Sequence, residues 1–267
     1  MYEKFWGLKE KPFENTPDPR FVYYSSEHLE AISRLTYAIE ERKGAALLTG
    51  EYGCGKTVMS RVLFEELPKD KYEIGLVTNP LLSATALLRE ICFQLDIKGS
   101  TSSNKTKLLE NLNNQLYENM NDKKDTVIIV DEAQVIKDLM AFEELRLLLN
   151  FQLNNRFLLT LIIMGQPELR ETIDKLKQLK QRLAVRYHLN PLNKKDTGKY
   201  IVHRLKIAGL ERNIFPDNIA NIIWESSEGI PRMINTICDM CLLLGFNNKL
   251  NRINEKIVED VVSDLGD

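Results

Sequence analysis

The chain has 267 residues, enough for one or two domains and for a hydrophobic core that needs no metal or disulfide staples. With 43% hydrophobic and 28% charged residues and a net charge of −2, it is neither a strongly basic nucleic-acid coat nor an acidic disordered tail. No apolar run approaches the ~18 residues of a transmembrane helix, the N-terminus MYEKFWGLKEKPF lacks the apolar core of a signal peptide, and the scattered cysteines suit a reducing cytoplasm.

Residues 1–24 carry Phe5, Trp6, Phe13, Phe21, Tyr23 and Tyr24 among Pro12, Pro17 and Pro19. They are too apolar for a disordered tail and are expected to form an irregular, ordered strap. Ser25–Glu41 follows with Leu29, Ile32, Leu35 and Ile39 at helical spacing. Gly44–Thr49 reads as a buried strand, Thr57–Leu67 as a helix, Tyr72–Val77 as a second strand and Ser83–Leu95 as a helix. Lys98–Lys105 is a polar loop. Lys107–Met120 is an amphipathic helix, Thr126–Val130 a β-branched strand, Leu139–Leu149 a helix, Phe157–Met164 a strand and Tyr187–Leu189 a short strand. Strands apolar on both faces, alternating with helices, imply a parallel sheet covered on both sides. After Pro191 only helices are expected: Asp196–Ala208, Asp217–Ser226, Pro231–Gly245 and Asn254–Leu265. The expected organisation is a strap (1–24), an α/β domain (25–190) and a small all-α domain (191–267). The last holds 10 basic and 11 acidic residues, so neither domain is basic overall.

Gly50-Glu51-Tyr52-Gly53-Cys54-Gly55-Lys56-Thr57 fits G-x-x-x-x-G-K-[ST], entered by a strand and left by a helix. The glycines let backbone N–H groups point inward at phosphate oxygens, and the helix adds the positive end of its dipole. Lys56 is expected to reach the β- and γ-phosphates of ATP and Thr57 to ligate Mg²⁺. The candidate nucleotide contacts are therefore Gly50, Glu51, Tyr52, Gly53, Cys54, Gly55, Lys56, Thr57 and Val58. Val127-Ile128-Ile129-Val130-Asp131-Glu132 supplies a buried strand ending in two carboxylates: Asp131 for the Mg²⁺ shell and Glu132 to polarise a water for in-line attack. The strand Phe157–Met164 runs into Gly165-Gln166-Pro167-Glu168. If that strand lies beside the other two, Gln166 can orient the water or sense loss of the γ-phosphate; otherwise it is a turn residue before Pro167.

Two arginine clusters complete the candidates. Gln181–Arg186 precedes the short strand, and Arg182 or Arg186, with Arg182 slightly preferred, can reach a neighbouring subunit's γ-phosphate. Pro231 suits a helix start. Arg232 in the same first turn opposes the helix dipole, an objection that a bound phosphate removes, so Arg232 is read as a γ-phosphate contact in cis.

Taken together, Phe5-Trp6-Gly7-Leu8, Lys11-Pro12-Phe13, Thr16–Phe21, Gly50–Thr57, Val130–Gln134, Gly165–Leu169, Gln181–Leu183, Tyr200–Leu205 and Gly229–Arg232 resemble an AAA+ ATPase. More narrowly the chain is similar to the ExeA/GspA family of bacterial secretion and pilus-biogenesis ATPases, the MshM type included. The resemblance implies a P-loop NTPase αβα domain followed by a helical lid, with Arg232 at the sensor-2 position, Gln166 in the sensor-1 region and the strap near the adenine. It also implies self-association into a ring or filament and a protein partner in a secretion or pilus machine. The expected location is the cytoplasm, peripheral at the inner membrane through partners and without direct membrane insertion. ExeA itself continues into a transmembrane segment and a peptidoglycan-binding domain, which are not carried over to this chain. TnsC/TniB-type transposition ATPases share the module and keep a DNA-bound regulator open as the alternative, with Lys175, Lys177, Lys180, Arg182 and Lys194–Lys195 as its local basic clusters.

Other residues take structural readings. Cys238 and Cys241 are read as helix core, His203 as a packed or capping side chain, Trp224 as core of the helical domain, and His28 and His188 as residues with no visible partner. Oxidation of Cys54 is expected to block nucleotide entry.

Overall fold

The computed structural model describes residues 1–266. Helix α1 (Glu3–Trp6) and a 3-10 turn (Pro19–Phe21) precede helix α2 (Ser26–Glu40). Strand β1 (Ala45–Gly50) leads into α3 (Lys56–Glu66), β2 (Tyr72–Val77), α4 (Ala84–Gln94) and α5 (Lys105–Asn121). Strand β3 (Asp125–Val130) is followed by a 3-10 turn (Ala133–Val135), α6 (Leu139–Leu148), β4 (Leu159–Gly165), α7 (Pro167–Lys175), α8 (Lys177–Arg182) and β5 (Leu183–Leu189). Helices α9 (Lys194–Ile207), α10 (Asp217–Ser227), α11 (Pro231–Asn247) and α12 (Glu255–Gly266) complete the described chain.

Two compact units emerge. The first holds residues His28–Gly50 and Met59–Leu189. Its five strands pair in the order β2-β3-β4-β1-β5, every pairing parallel. Strands β1 and β4 are buried along their whole length, which is why their sequences are apolar without alternation. Strand β4 lies between β3 and β1, as the Gln166 reading requires. Leu87, Leu88 and Ile91 of α4, Leu112 of α5 and Phe142 and Leu145 of α6 form one core with Ile128, Leu161 and Ile163 of the sheet. Each such side chain contributes on the order of 1.5–3 kcal/mol by leaving water.

The region before Asn190 departs from expectation. Strand β5 runs from Leu183, not Tyr187, so Arg186 lies inside the strand and does not precede it. Leu183 and Leu189 are buried while Ala184 and Arg186 are exposed, a half-buried alternation suited to an edge strand paired only with β1. Helices α7 and α8 are polar segments whose few apolar anchors, Leu169, Ile173 and Leu179, hold them to the core. Phe157 lies outside β4, in an antiparallel bridge to Gln152.

The second unit holds Met1–Glu27, Glu51–Val58 and the chain from Asn190 on. Its core joins Trp6, Phe13 and Phe21 of the N-terminal segment to Tyr200, Phe215, Ile223, Ile234 and Leu242 of the four helices. Trp6 donates from Nε1 to the Leu242 carbonyl at 2.9 Å, and Gly245 makes room for its ring, since a Cβ there would sit 2.8 Å from Trp6 Cζ2. The buried Arg204 guanidinium donates to Pro12 O at 2.5 Å, Glu14 O at 2.9 Å and Tyr200 Oη at 2.8 Å, and lies over Phe21. The N-terminal segment is thus ordered, and it begins with a helical turn that Gly7, at φ 81°, ends. Cys238 and Cys241 are both buried in this core. Among the described residues no helix is long and apolar enough to cross a membrane.

Candidate active site

The phosphate loop begins where β1 ends. Gly50 is packed so closely on β5 that a Cβ would lie 2.6 Å from Leu189 O. Beside it, Thr49 Oγ1 and His188 Nδ1 are hydrogen bonded at 3.0 Å, so His188 has a partner that its sequence context did not show. Gly53 and Gly55 follow at φ 85° and 100°, a region that L side chains adopt only with strain. Cys54 N donates back to Glu51 O at 3.2 Å, and Lys56 Nζ donates to the same carbonyl at 2.9 Å, so the loop closes on itself. Lys56 is only 4% exposed and opens α3, whose first N–H groups have no partner within the helix. These curled glycines, the amides of the helix start and an adjacent ammonium suit a polyphosphate, and the loop would hold one by backbone donors. Burial pushes the Cys54 thiol up to about 11 against the pull of Lys56, which disfavours the thiolate that oxidation requires.

Arg232 sits within the same unit, in the first turn of α11. Its guanidinium lies 4.4 Å from the centroid of the Tyr52 ring, and Nη1 donates to the Tyr52 hydroxyl. Its backbone N–H donates to Gly53 O at 3.3 Å. A Cβ at Gly53 would meet Arg232 Cβ at 2.7 Å and Ile230 Cγ2 at 3.0 Å. Gly53 therefore serves the close approach of α11 as well as the turn. Tyr52, 56% exposed, supplies the aromatic face that steadies a cation at a helix start.

The carboxylates belong to the sheet unit. Asp131 is 1% exposed; its N–H continues the β2–β3 ladder to Val77 O at 2.9 Å. Its Oδ1 accepts from Glu132 N at 2.9 Å, and its Oδ2 accepts from Ser60 Oγ of α3 at 3.2 Å. Glu132 has φ 54°, so the chain turns sharply as β3 ends. Gln134 Nε2 donates to Glu132 Oε2 at 2.5 Å, and Gln134 Oε1 accepts from Gln166 N at 3.0 Å. Gln166 caps α7 by position, yet its side chain makes no capping hydrogen bond. Each unit holds a hard oxygen donor of the kind Mg²⁺ takes, Thr57 in the helical unit and Asp131 in the sheet unit.

The sheet unit thus brings Asp131, Glu132 and Gln166 together, and the helical unit brings Tyr52, Gly53, Lys56 and Arg232 together. Arg182 and Arg186 make their contacts elsewhere. Arg182, the last residue of α8, donates to Asn150 Oδ1 at 3.4 Å, and Arg186 donates to the Lys180 carbonyl. Gln134 is the residue that the motifs left without a role; a carboxamide two residues past a carboxylate, in a turn, was its only signal. His203 is packed 5.8 Å from the Tyr23 ring, and burial lowers its imidazole below the ordinary value. Trp224 donates from Nε1 to Leu192 O at 3.1 Å.

A model of the AAA domain matches residues 39–173. Over 255 residues the chain is 38% identical to General secretion pathway protein A of Aeromonas hydrophila, covering 95% of this chain and 46% of that protein, so it spans about half the relative's length. Among solved structures, the ADPNP–ADP complexes of the ORC2 protein of Aeropyrum pernix superpose with a TM-score of 0.70 at 15% identity, over 96% of this chain and 72% of that one. The Aeropyrum pernix ORC1 protein in complex with DNA gives 0.69 at 14% identity, over 96% and 69%. At such identities these two are likenesses of fold. The sheet order, the phosphate loop and the match to the domain model agree: the chain belongs to the AAA family and has the P-loop AAA+ fold.

Proposed function

We propose that the chain is an ATPase that works as an oligomeric motor or switch in a secretion or pilus machine. The observation that carries the enzymatic part is that one chain holds both a complete phosphate loop and a buried strand, β3, followed directly by Asp131 and Glu132. Backbone amides of Gly50–Thr57 and the Lys56 ammonium hold the phosphates. Glu132 accepts a proton from the water that attacks the γ-phosphorus as the bond to ADP breaks. Gln166, its amide free of capping duty, orients that water. Lys56 and Arg232 offset the charge that builds on the transferring group. Thr57 and Asp131 would hold Mg²⁺, which when bound supplies further neutralisation of phosphate charge.

Arg182 or Arg186 would serve the neighbouring subunit's site, and assembly would run through that contact. The identity to General secretion pathway protein A over nearly the whole chain supports the secretion role. The basic cluster near Arg182 gives DNA weak support, because Lys180 is paired with Asp174 at 2.7 Å.

The experiment is ATP turnover with particle size recorded, with and without duplex DNA at moderate salt. Turnover that Lys56→Ala and Glu132→Gln both abolish, with Glu132→Gln still binding ATP and trapping the assembly, is the expected result. Unchanged nucleotide affinity in Lys56→Ala overturns the phosphate-loop assignment. Strong stimulation and ATP-dependent assembly on DNA overturns the secretion role in favour of a DNA-bound regulator.

A further inference from the structure

Gln134 stands in the 3-10 turn that follows Glu132, between the end of β3 and the end of β4. Its carboxamide has one donating and one accepting end, and the partners decide which is which. A carboxylate oxygen such as Glu132 Oε2 accepts, and the Gln166 N–H can only donate. A flipped amide would set oxygen against carboxylate and NH₂ against N–H, so a single orientation satisfies both. The surroundings are built for it. Glu132 takes a left-handed backbone conformation at φ 54°, which brings its side chain back over the turn. Strand β4 ends in Gly165, where a Cβ would stand 2.7 Å from Gln134 Oε1 and 2.7 Å from Leu169 Cδ2. A side chain at 165 would therefore expel the carboxamide or shift α7.

We propose that Gln134 is a positioning residue for hydrolysis: its carboxamide holds the Glu132 carboxylate and ties it to the Gln166 turn, so that the water-polarising group and the water-orienting group keep one geometry. This rests on the proposed roles of Glu132 and Gln166. A proton acceptor must lie within hydrogen-bond reach of the attacking water, and a displacement of about 1 Å costs on the order of 10²-fold. A carboxylate on a rotatable two-carbon stem, in a half-buried turn, does not hold such a place unaided.

The test is steady-state ATP hydrolysis by Gln134→Leu, Gln134→Glu and Gly165→Ala, each with a thermal midpoint and an ADP titration. Gln134→Leu removes both hydrogen bonds. Gln134→Glu keeps the length and an acceptor for Gln166 N–H but sets a second carboxylate against Glu132. Gly165→Ala attacks the same contact from β4. The expected result is a fall in kcat of roughly 10- to 100-fold in all three, with KM for ATP and affinity for ADP within about twofold. In a Glu132→Gln background the Gln134→Leu change should add nothing further, because the group it positions is gone.

Parental kcat in Gln134→Leu and Gln134→Glu overturns the proposal, as does a loss that falls on KM or that multiplies with Glu132→Gln. If Glu132→Gln itself keeps full turnover, the base assignment fails and this inference fails with it. If Glu132→Gln stalls while the Gln134 variants do not, this inference alone fails.

Discussion

Gly53→Ala separates two reasons for a glycine in the phosphate loop, and Gly7→Ala supplies the control. Both glycines have nearly the same left-handed backbone, φ 85° and 81°. Alanine at either position meets the same conformational strain, on the order of 1–2 kcal/mol, and the same small gain from a stiffer unfolded chain. The neighbourhoods differ. A Cβ at Gly7 has nothing within 4 Å, whereas a Cβ at Gly53 is 2.7 Å from Arg232 Cβ and 3.0 Å from Ile230 Cγ2. Both obstacles are short, branched or close to the backbone, so neither swings aside cheaply. Overpacking of this kind costs about 1–3 kcal/mol. Gly53→Ala should therefore lower stability by about that much more than Gly7→Ala, or relieve the clash by lifting α11 off the loop. The second route lowers nucleotide affinity, by about 5- to 150-fold if the whole excess is expressed in binding. Urea unfolding and titration with a fluorescent ATP analogue measure the two. Equal stability in the two variants together with parental affinity in Gly53→Ala would falsify the role of α11 in fixing the loop.

The Tyr52–Arg232 contact should be separable by chemistry: Tyr52→Phe keeps the ring under the guanidinium and Tyr52→Leu removes it. If Arg232 reads the γ-phosphate, Tyr52→Leu should weaken ATP more than ADP, by several-fold, and Tyr52→Phe much less; equal losses for both nucleotides count against it. Arg204→Met should cost about 2–4 kcal/mol in urea unfolding, since it strands the Pro12 and Glu14 carbonyls within the helical unit; a change below ~1 kcal/mol would show that the N-terminal segment is held without it. Burial raises the thiols of Cys54 and Cys92 from 9.0 to about 11 and that of Cys241 to about 12. Ionisation of the unfolded chain is thus favoured first, so their contribution is intact below pH 9 and stability should fall between pH 9 and about 12. At pH 8 a thiol reagent should label none of the four cysteines in the native protein and all four in denaturant; rapid native labelling of Cys54 would contradict its burial.

Legibility followed the density of constraint. In Gly50–Thr57 nearly every position answers to a physical need, and the loop was readable from eight letters. Strands β1, β3 and β4 were readable because burial on both faces demands unbroken apolar runs. Strand β5 was readable only over Tyr187–Leu189, since an edge strand tolerates the exposed Arg186, and that charge hid residues 183–186. Helices α7 and α8 were hidden by their polarity; only Leu169, Ile173 and Leu179 anchor them. Contacts between distant residues carry no linear signature. Tyr52 and Arg232 are 180 positions apart; each was singled out in its own context as a nucleotide contact, but nothing there joined the two. Gln134 lay in view beside Glu132, but its reach to Gln166 depends on the left-handed turn at Glu132, which no propensity foretells.

The division of the phosphate loop between packing partners bears on how such a protein can transmit the state of its nucleotide. Residues 51–58 pack with the helical unit, while Gly50 before them and Met59 after them belong to the sheet unit. Within the helical unit the loop is held by the hydrogen bond from Arg232 N to Gly53 O and the stack on Tyr52. On the proposed reading, a phosphate that draws Lys56 away from Glu51 O changes the loop closure on which that packing rests. On the proposed roles of these residues, the response to nucleotide would run within the helical unit through the backbone of Gly53 and within the sheet unit through Glu132 and Gln166. If the first link carries the signal, Gly53→Ala uncouples assembly from ATP even where turnover survives. If the second does, the Gln134 variants uncouple turnover while ATP still drives assembly. Particle size and turnover measured on the same samples distinguish the two routes.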